Sequence, residues 1–106
     1  MKWYRELYVG DKARRRQGEI VAAVSEGRQL RDVYLLTLPC NPVNTLEIVP
    51  AWNFRQKILR DRTPMVIGLA DGYREALALT ETIIADTCRE TGGTRVCDYI
   101  SGRESL

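Results

Sequence analysis

Histidine is absent from all 106 residues. That removes the commonest general base, the commonest switch near neutral pH and the commonest metal ligand. Acid–base chemistry would fall to Asp, Glu, Cys, Tyr or Lys, and the absence weighs against an enzyme. Cysteine is scarce: Cys40, Cys88 and Cys97 are widely spaced and form no Cys-x-x-Cys pair. An odd, scattered set is not a disulfide framework, so a reducing compartment is expected. A structural zinc site needs four ligands, and three cysteines without histidine do not supply them, so no metal is expected.

Long apolar runs are missing as well. No stretch approaches the roughly 20 apolar residues that span a bilayer, so no membrane partner is expected. The start, Met1-Lys2-Trp3-Tyr4-Arg5-Glu6, lacks the apolar run of a signal peptide, and a cytoplasmic protein is expected. Charge of one sign is missing too: 16 Lys and Arg stand against 14 Asp and Glu, a net of +2. A dedicated nucleic-acid binder shows a stronger basic excess, so nucleic acid is not the expected partner. The basic run Arg14-Arg15-Arg16 fans over nearly 200° of a helix and forms no single strip.

What remains has the composition of an ordinary globular domain, with 44% apolar and 28% charged residues. One α/β domain is expected over residues 1–100, with residues 101–106 as a frayed tail. The clearest signal is Met65-Val66-Ile67-Gly68-Leu69-Ala70, apolar at every position between Thr63-Pro64 and Asp71-Gly72. Such a strand is covered on both faces. A helix is expected over Gly72–Thr91, with Tyr73, Ala76, Leu77, Thr80, Ile83, Ile84, Thr87 and Cys88 on one face and Gly92-Gly93 closing it. On that face Cys88 reads as core.

A second apolar strand is expected at Val33–Leu38, ended by Pro39. Upstream, a helix from Asp11 would bury Ala13, Gln17, Ile20, Val21 and Val24, with Asp11 as its cap and Gly27 at its left-handed end. Gly18 weakens this helix by about 1 kcal/mol relative to Ala. Residues Trp3–Val9 either continue this helix or form a separate element before it. Asn44-Thr45-Leu46-Glu47 resembles a capping box, which predicts a short helix over Thr45–Val49 and a bend at Pro50. A second short helix over Ala51–Leu59 would bury Trp52 or Phe54 with Ile58 and Leu59. Thr94–Ile100 reads as an edge strand or a helical turn.

The order is α-β-α-β-α with an optional C-terminal strand, in a small parallel or mixed sheet. About 25 residues separate the two strands, long enough for a right-handed crossover between parallel neighbours. Two strands alone leave two open edges, so either the tail adds a strand or a second copy covers the sheet, and a homodimer is expected. Ligands of such sheets bind beyond the carboxyl ends of the strands. The candidate ligand-binding residues are therefore Cys40, Asn41 and Asn44 in one loop, and Asp71, Gly72 and Tyr73 in the other. Cys40 follows a strand and precedes a helix, where a dipole lowers a thiol's pKa. The arginine that a Cys-x5-Arg phosphatase loop requires is replaced by Leu46. Gly68-x-x-x-Gly72 lacks the Gly-Lys-Ser/Thr ending of a P-loop.

Three stretches carry a resemblance: Val33–Asn44, ending Thr-Leu-Pro-x-Asn-Pro-x-Asn; Val66–Leu77; and Glu90-Thr91-Gly92-Gly93. With them the chain resembles a set of short bacterial proteins of Gram-positive anaerobes to which no activity is attached. The resemblance implies a stand-alone small α/β protein and says nothing of a substrate. No catalytic residue and no cofactor is expected. The sequence points to a non-enzymatic binding or interaction module with a protein partner. The alternative is a small-anion or nucleotide-binding protein built on the two strand-end loops.

Overall fold

Two almost wholly apolar runs, broken only by Thr37 in the first and ended by Asp71 in the second, dictate where the sheet lies, because each must be covered on both sides. In the computed structural model, which describes residues 1–28, 30–39 and 44–104 (backbone only for 103 and 104), these runs are β2 (Val33–Thr37) and β4 (Val66–Asp71). Val33, Leu35, Val66 and Leu69 face one apolar cluster, with Ile20, Val24 and Phe54. Leu36, Ile67 and Ala70 face the other, with Ala76, Leu79, Ile83, Val96 and Ile100. The result is three layers. Helix α1 (Gln17–Ser25) and a 3-10 turn (Ala51–Arg55) lie on one face of the sheet. Helices α3 (Tyr73–Thr91) and α4 (Val96–Glu104) lie on the other.

The α/β class holds and the sheet is mixed. Two further strands, β1 (Trp3–Val9) and β3 (Glu47–Pro50), complete the order β1-β4-β2-β3. β1 runs parallel to β4, whereas β2 is antiparallel to both β4 and β3. The expected parallel pairing of the two apolar strands is therefore corrected. An all-apolar run reports burial on two faces and carries no information about strand direction. The four-stranded sheet also removes the premise that two strands alone need a second copy to complete them.

The expected short helix at Thr45–Val49 is a strand instead. Pro50 limits any helix there to about one turn, too short to offset nucleation. As a strand the segment gains four register pairs, from Tyr34↔Pro50 to Thr37↔Glu47. Ile48 packs on one cluster and Val49 on the other, and Pro50 sits on an edge where its missing N–H costs no ladder bond. The chain returns to β4 through the 3-10 turn and helix α2 (Lys57–Arg62). Phe54 is buried, while Trp52 and Ile58 are exposed, so the expected burial of Ile58 does not occur. The Arg60 guanidinium donates to the carbonyls of Phe54 and Arg55 and closes that turn.

Residues Thr94–Ile100 lead into α4, and helix continues through Ser101 to Glu104, where fraying was expected. Residues 105 and 106 lie outside the described set. In α3 the buried stripe is Ala76, Leu79, Ile83 and Thr87. Cys88 is one residue, about 100°, beyond that stripe, so it is exposed and not core. Tyr73 and Leu77 were also expected on the core face, yet they are 54% and 44% exposed.

Gly72 joins β4 to α3 at φ 99°, ψ 151°, a region that glycine alone populates readily, and its N–H donates to the Asp32 carbonyl at 2.6 Å. Around its α-carbon there is open space. Gly72→Ala is therefore expected to destabilise by backbone strain alone, about 1–3 kcal/mol. Gly18, helical and equally open, gives the opposite sign: Gly18→Ala should stabilise by up to about 1 kcal/mol. Urea midpoints of the two variants check the pair.

Candidate functional site

β1 and β4 are parallel neighbours, and the chain leaves them toward opposite faces. After β1 it enters the helical segment that carries Ile20 and Val24 into one cluster. After β4 it enters α3, which carries Ala76 and Ile83 into the other. Such a switch point is where open α/β sheets receive ligands, at helix N-termini with free N–H groups. Here three N–H groups at the junction, two where the helical segment after β1 begins and one at the end of β4, already have a partner. Glu75, in the first turn of α3, accepts from Lys12 N–H at 2.9 Å, Ala13 N–H at 3.2 Å and Asp71 N–H at 2.9 Å.

Partial burial pushes the Glu75 pKa up. The bonds from the Asp71, Lys12 and Ala13 N–H groups and the nearby Lys12 charge push it down, and the balance lies below the usual glutamate value. Gly10 makes room for the arrangement, because a β-carbon there would fall on the Glu75 carboxylate. Its own backbone ties the same point to the sheet, with N–H donating to Leu69 and C=O accepting from Arg14, both at 2.9 Å. Asp11 was expected to cap the helix that follows. Its carboxylate is exposed, 4.0 Å from Arg14, and the cap comes from Glu75, 63 residues away from Lys12.

The sequence-derived candidates fall into two places. Asp71, Gly72 and Tyr73 do lie at the switch point. The Asp71 carboxylate is 3.5 Å from Arg16, and the Tyr73 ring meets Tyr34 edge-on at 5.5 Å. Asn44 is exposed at the opposite end of the sheet, since Thr37 pairs with Val66 whereas Val33 pairs with Asp71. The two expected loops therefore do not form one mouth. Cys40 and Asn41 lie outside the described residues.

Glu75 was missed. The signal was a carboxylate four residues after Asp71 in a helical first turn, but its acceptor role depends on Lys12 and Ala13 being folded against it.

From Glu75 a cleft of about 680 Å³ opens along β1, between Leu7–Gly10 and the Arg74, Ala78 and Thr82 row of α3. Deeper along the same interface the Tyr8 hydroxyl donates to Asp86 Oδ2 at 2.6 Å and lies 3.0 Å from the Tyr99 hydroxyl. Arg89 donates to Asp86 Oδ1 at 2.6 Å. Burial first, then the bond to Asp86, hold Tyr8 far above the usual phenol range, and it stays a neutral donor. The Tyr8 bond in turn, with help from Arg89, lowers the Asp86 pKa against the effect of burial. This cluster ties β1 to α3 and α4. Among the described residues no group of three or more His, Cys, Asp or Glu is placed to hold a metal ion, and no helix is long and apolar enough to cross a membrane.

No protein-family model, curated protein or solved structure matches this chain.

Glu75→Gln replaces an ionised acceptor with an amide that must turn a donor away from three N–H groups. It is expected to cost about 1–3 kcal/mol. The folded pKa is depressed, so this contribution is complete above the ordinary glutamate pKa of about 4.3 and is lost as the pH falls through the folded value. Urea unfolding between pH 7 and pH 3 should show a smaller acid loss in Glu75→Gln than in the parent, the remainder coming from groups such as Asp86. Gly10→Ala evicts the same carboxylate, so its cost and that of Glu75→Gln should fall well short of adding in the double variant.

Proposed function

We propose that this chain is a non-enzymatic interaction module of the cytoplasm that binds a protein partner and works as a homodimer. One observation carries the reading. At the switch point, where an α/β sheet usually receives an anion, the chain supplies its own: Glu75 on the N–H groups of Lys12, Ala13 and Asp71. The position is spent on holding the fold, and what stays open is surface.

Support for a second copy comes from the outer flank of α3. Tyr73 and Leu77 are large and exposed, one helical turn apart, and Tyr34 of β2 packs against Tyr73. An aromatic and aliphatic patch of this kind is what the centre of an interface uses. Cys88 is exposed and Cys97 half-buried, both as free thiols, which suits a reducing compartment.

The small-anion reading is favoured by one observation: Lys12, Arg14 and Arg74 line the cleft beside Glu75. An anion bound on the switch-point amides would have to displace Glu75 from all three N–H groups. A thermal-shift screen of phosphorylated metabolites separates the two. The module reading predicts no stabilisation by any of them. A rise in Tm that disappears in Arg74→Ala would replace it with the anion reading.

Light scattering across a dilution series is expected to give a dimer mass, and Leu77→Glu, an exposed change, a monomer with unchanged circular dichroism. A parent chain that is monomeric throughout would remove the dimer from the account.

A further inference from the structure

We infer that the cleft along β1 is a docking groove for a short, extended, acidic peptide of a partner protein, which adds as a strand to the free edge of β1. The inference rests on the interaction-module reading and names the chemistry of the partner. β1 is an outer strand of the sheet, with β4 on one side and, among the described residues, no strand on the other. Its register with β4 slips between Trp3 and Tyr8, where five residue steps of β1 answer two of β4. That irregularity interrupts the edge over its first half. Beyond it Tyr8 and Val9 keep register with β4, and Leu7 and Val9, which alternate with Tyr8 and Gly10, turn their backbone groups away from β4; Leu7–Gly10 form one wall of the cleft of about 680 Å³.

The facing wall is the Arg74, Ala78 and Thr82 row of α3, spaced four residues apart. Along a helix axis this row covers about 12 Å, and the three steps from Leu7 to Gly10 cover about 10 Å. Ala78 and Thr82 are small enough to let a backbone lie between helix and strand. The groove therefore has the walls for one short added strand of three or four residues, the mode in which main-chain bonds give affinity and alternate side chains give specificity. A volume of this size is within the range of binding clefts.

Charge selects the peptide. Lys12, Arg14 and Arg74 line the groove, with Asp11 and Glu75 as the carboxylates. The Glu75 charge is taken up by three N–H bonds, and Asp11 is fully open to water, 4.0 Å from Arg14. Cations outnumber carboxylates, and the more effective carboxylate is already engaged.

The test uses a fluorescein-labelled hexapeptide that alternates valine with glutamate, titrated by fluorescence polarisation against the full chain at fixed salt. Saturable binding is expected, about tenfold tighter than for the same peptide with lysine in place of glutamate. N-methylation of alternate peptide nitrogens, which removes the ladder bonds, should abolish it. Lys12→Glu combined with Arg74→Glu should weaken it about tenfold.

Ala78→Arg is the decisive variant: it adds attraction for an acidic peptide yet fills the groove, and binding should be lost while circular dichroism is unchanged. Retained binding in Ala78→Arg, equal binding of the lysine peptide, or no saturation up to about 1 mM overturns the proposal. A dimer mass that Ala78→Arg alone reduces to monomer would give the groove to a second copy and overturn it as well. The metabolite screen tests the module reading independently, so a peptide failure with no metabolite bound sinks only the groove.

Discussion

The Glu75 carboxylate meets the N–H groups of Lys12, Ala13 and Asp71 at the one point where three segments converge. β1 ends there, β4 ends there, and α3 begins there. Ladder bonds hold β1 to β4 along the sheet, but the chain must then split toward opposite faces, leaving N–H groups at both departures. An unpaired buried N–H costs as much as a lost hydrogen bond. A single ionised acceptor answers three of them, and Gly10 gives it the space. The two layers of helix are thereby fixed to the same corner of the sheet.

The same constraint shapes what the protein can do. A switch point with open amides is an anion site; one filled by a side chain is a joint. With the joint closed, the accessible features include the groove that runs from it along β1, the apolar flank at Tyr73 and Leu77, and the exposed Cys88 thiol. The Tyr8, Asp86, Arg89 and Tyr99 cluster belongs with the joint. It ties β1 to α3 and α4 with a phenol held neutral, and so links the two walls of the groove.

Much of the fold was legible in the chain. The two apolar runs announced strands buried on both faces, Gly27 and Gly92 announced left-handed helix ends, and Tyr73–Thr91 announced a long helix. What was not legible depended on pairing between distant residues. The direction of β2 relative to β4 leaves no mark in an apolar run. The local pattern Asn44-x-x-Glu47 favoured a helix, and the register with β2 overruled it. The helix face was drawn too wide, so Leu77 and Cys88 were placed inside and Leu79 was left out. At the site, Asp71 and Gly72 were visible as a strand-to-helix turn. Glu75 was visible only as a first-turn carboxylate, because its partners at Lys12 and Ala13 lie more than 60 residues away.

The most direct measurement is amide hydrogen exchange by NMR at Lys12, Ala13 and Asp71, in the parent chain and in Glu75→Gln. The account predicts that all three amides are protected in the parent and lose protection together in the variant, while the β2–β4 amides, such as Tyr34, keep theirs. Unprotected exchange at these three positions in the parent, or protection that survives the loss of the carboxylate, would contradict it.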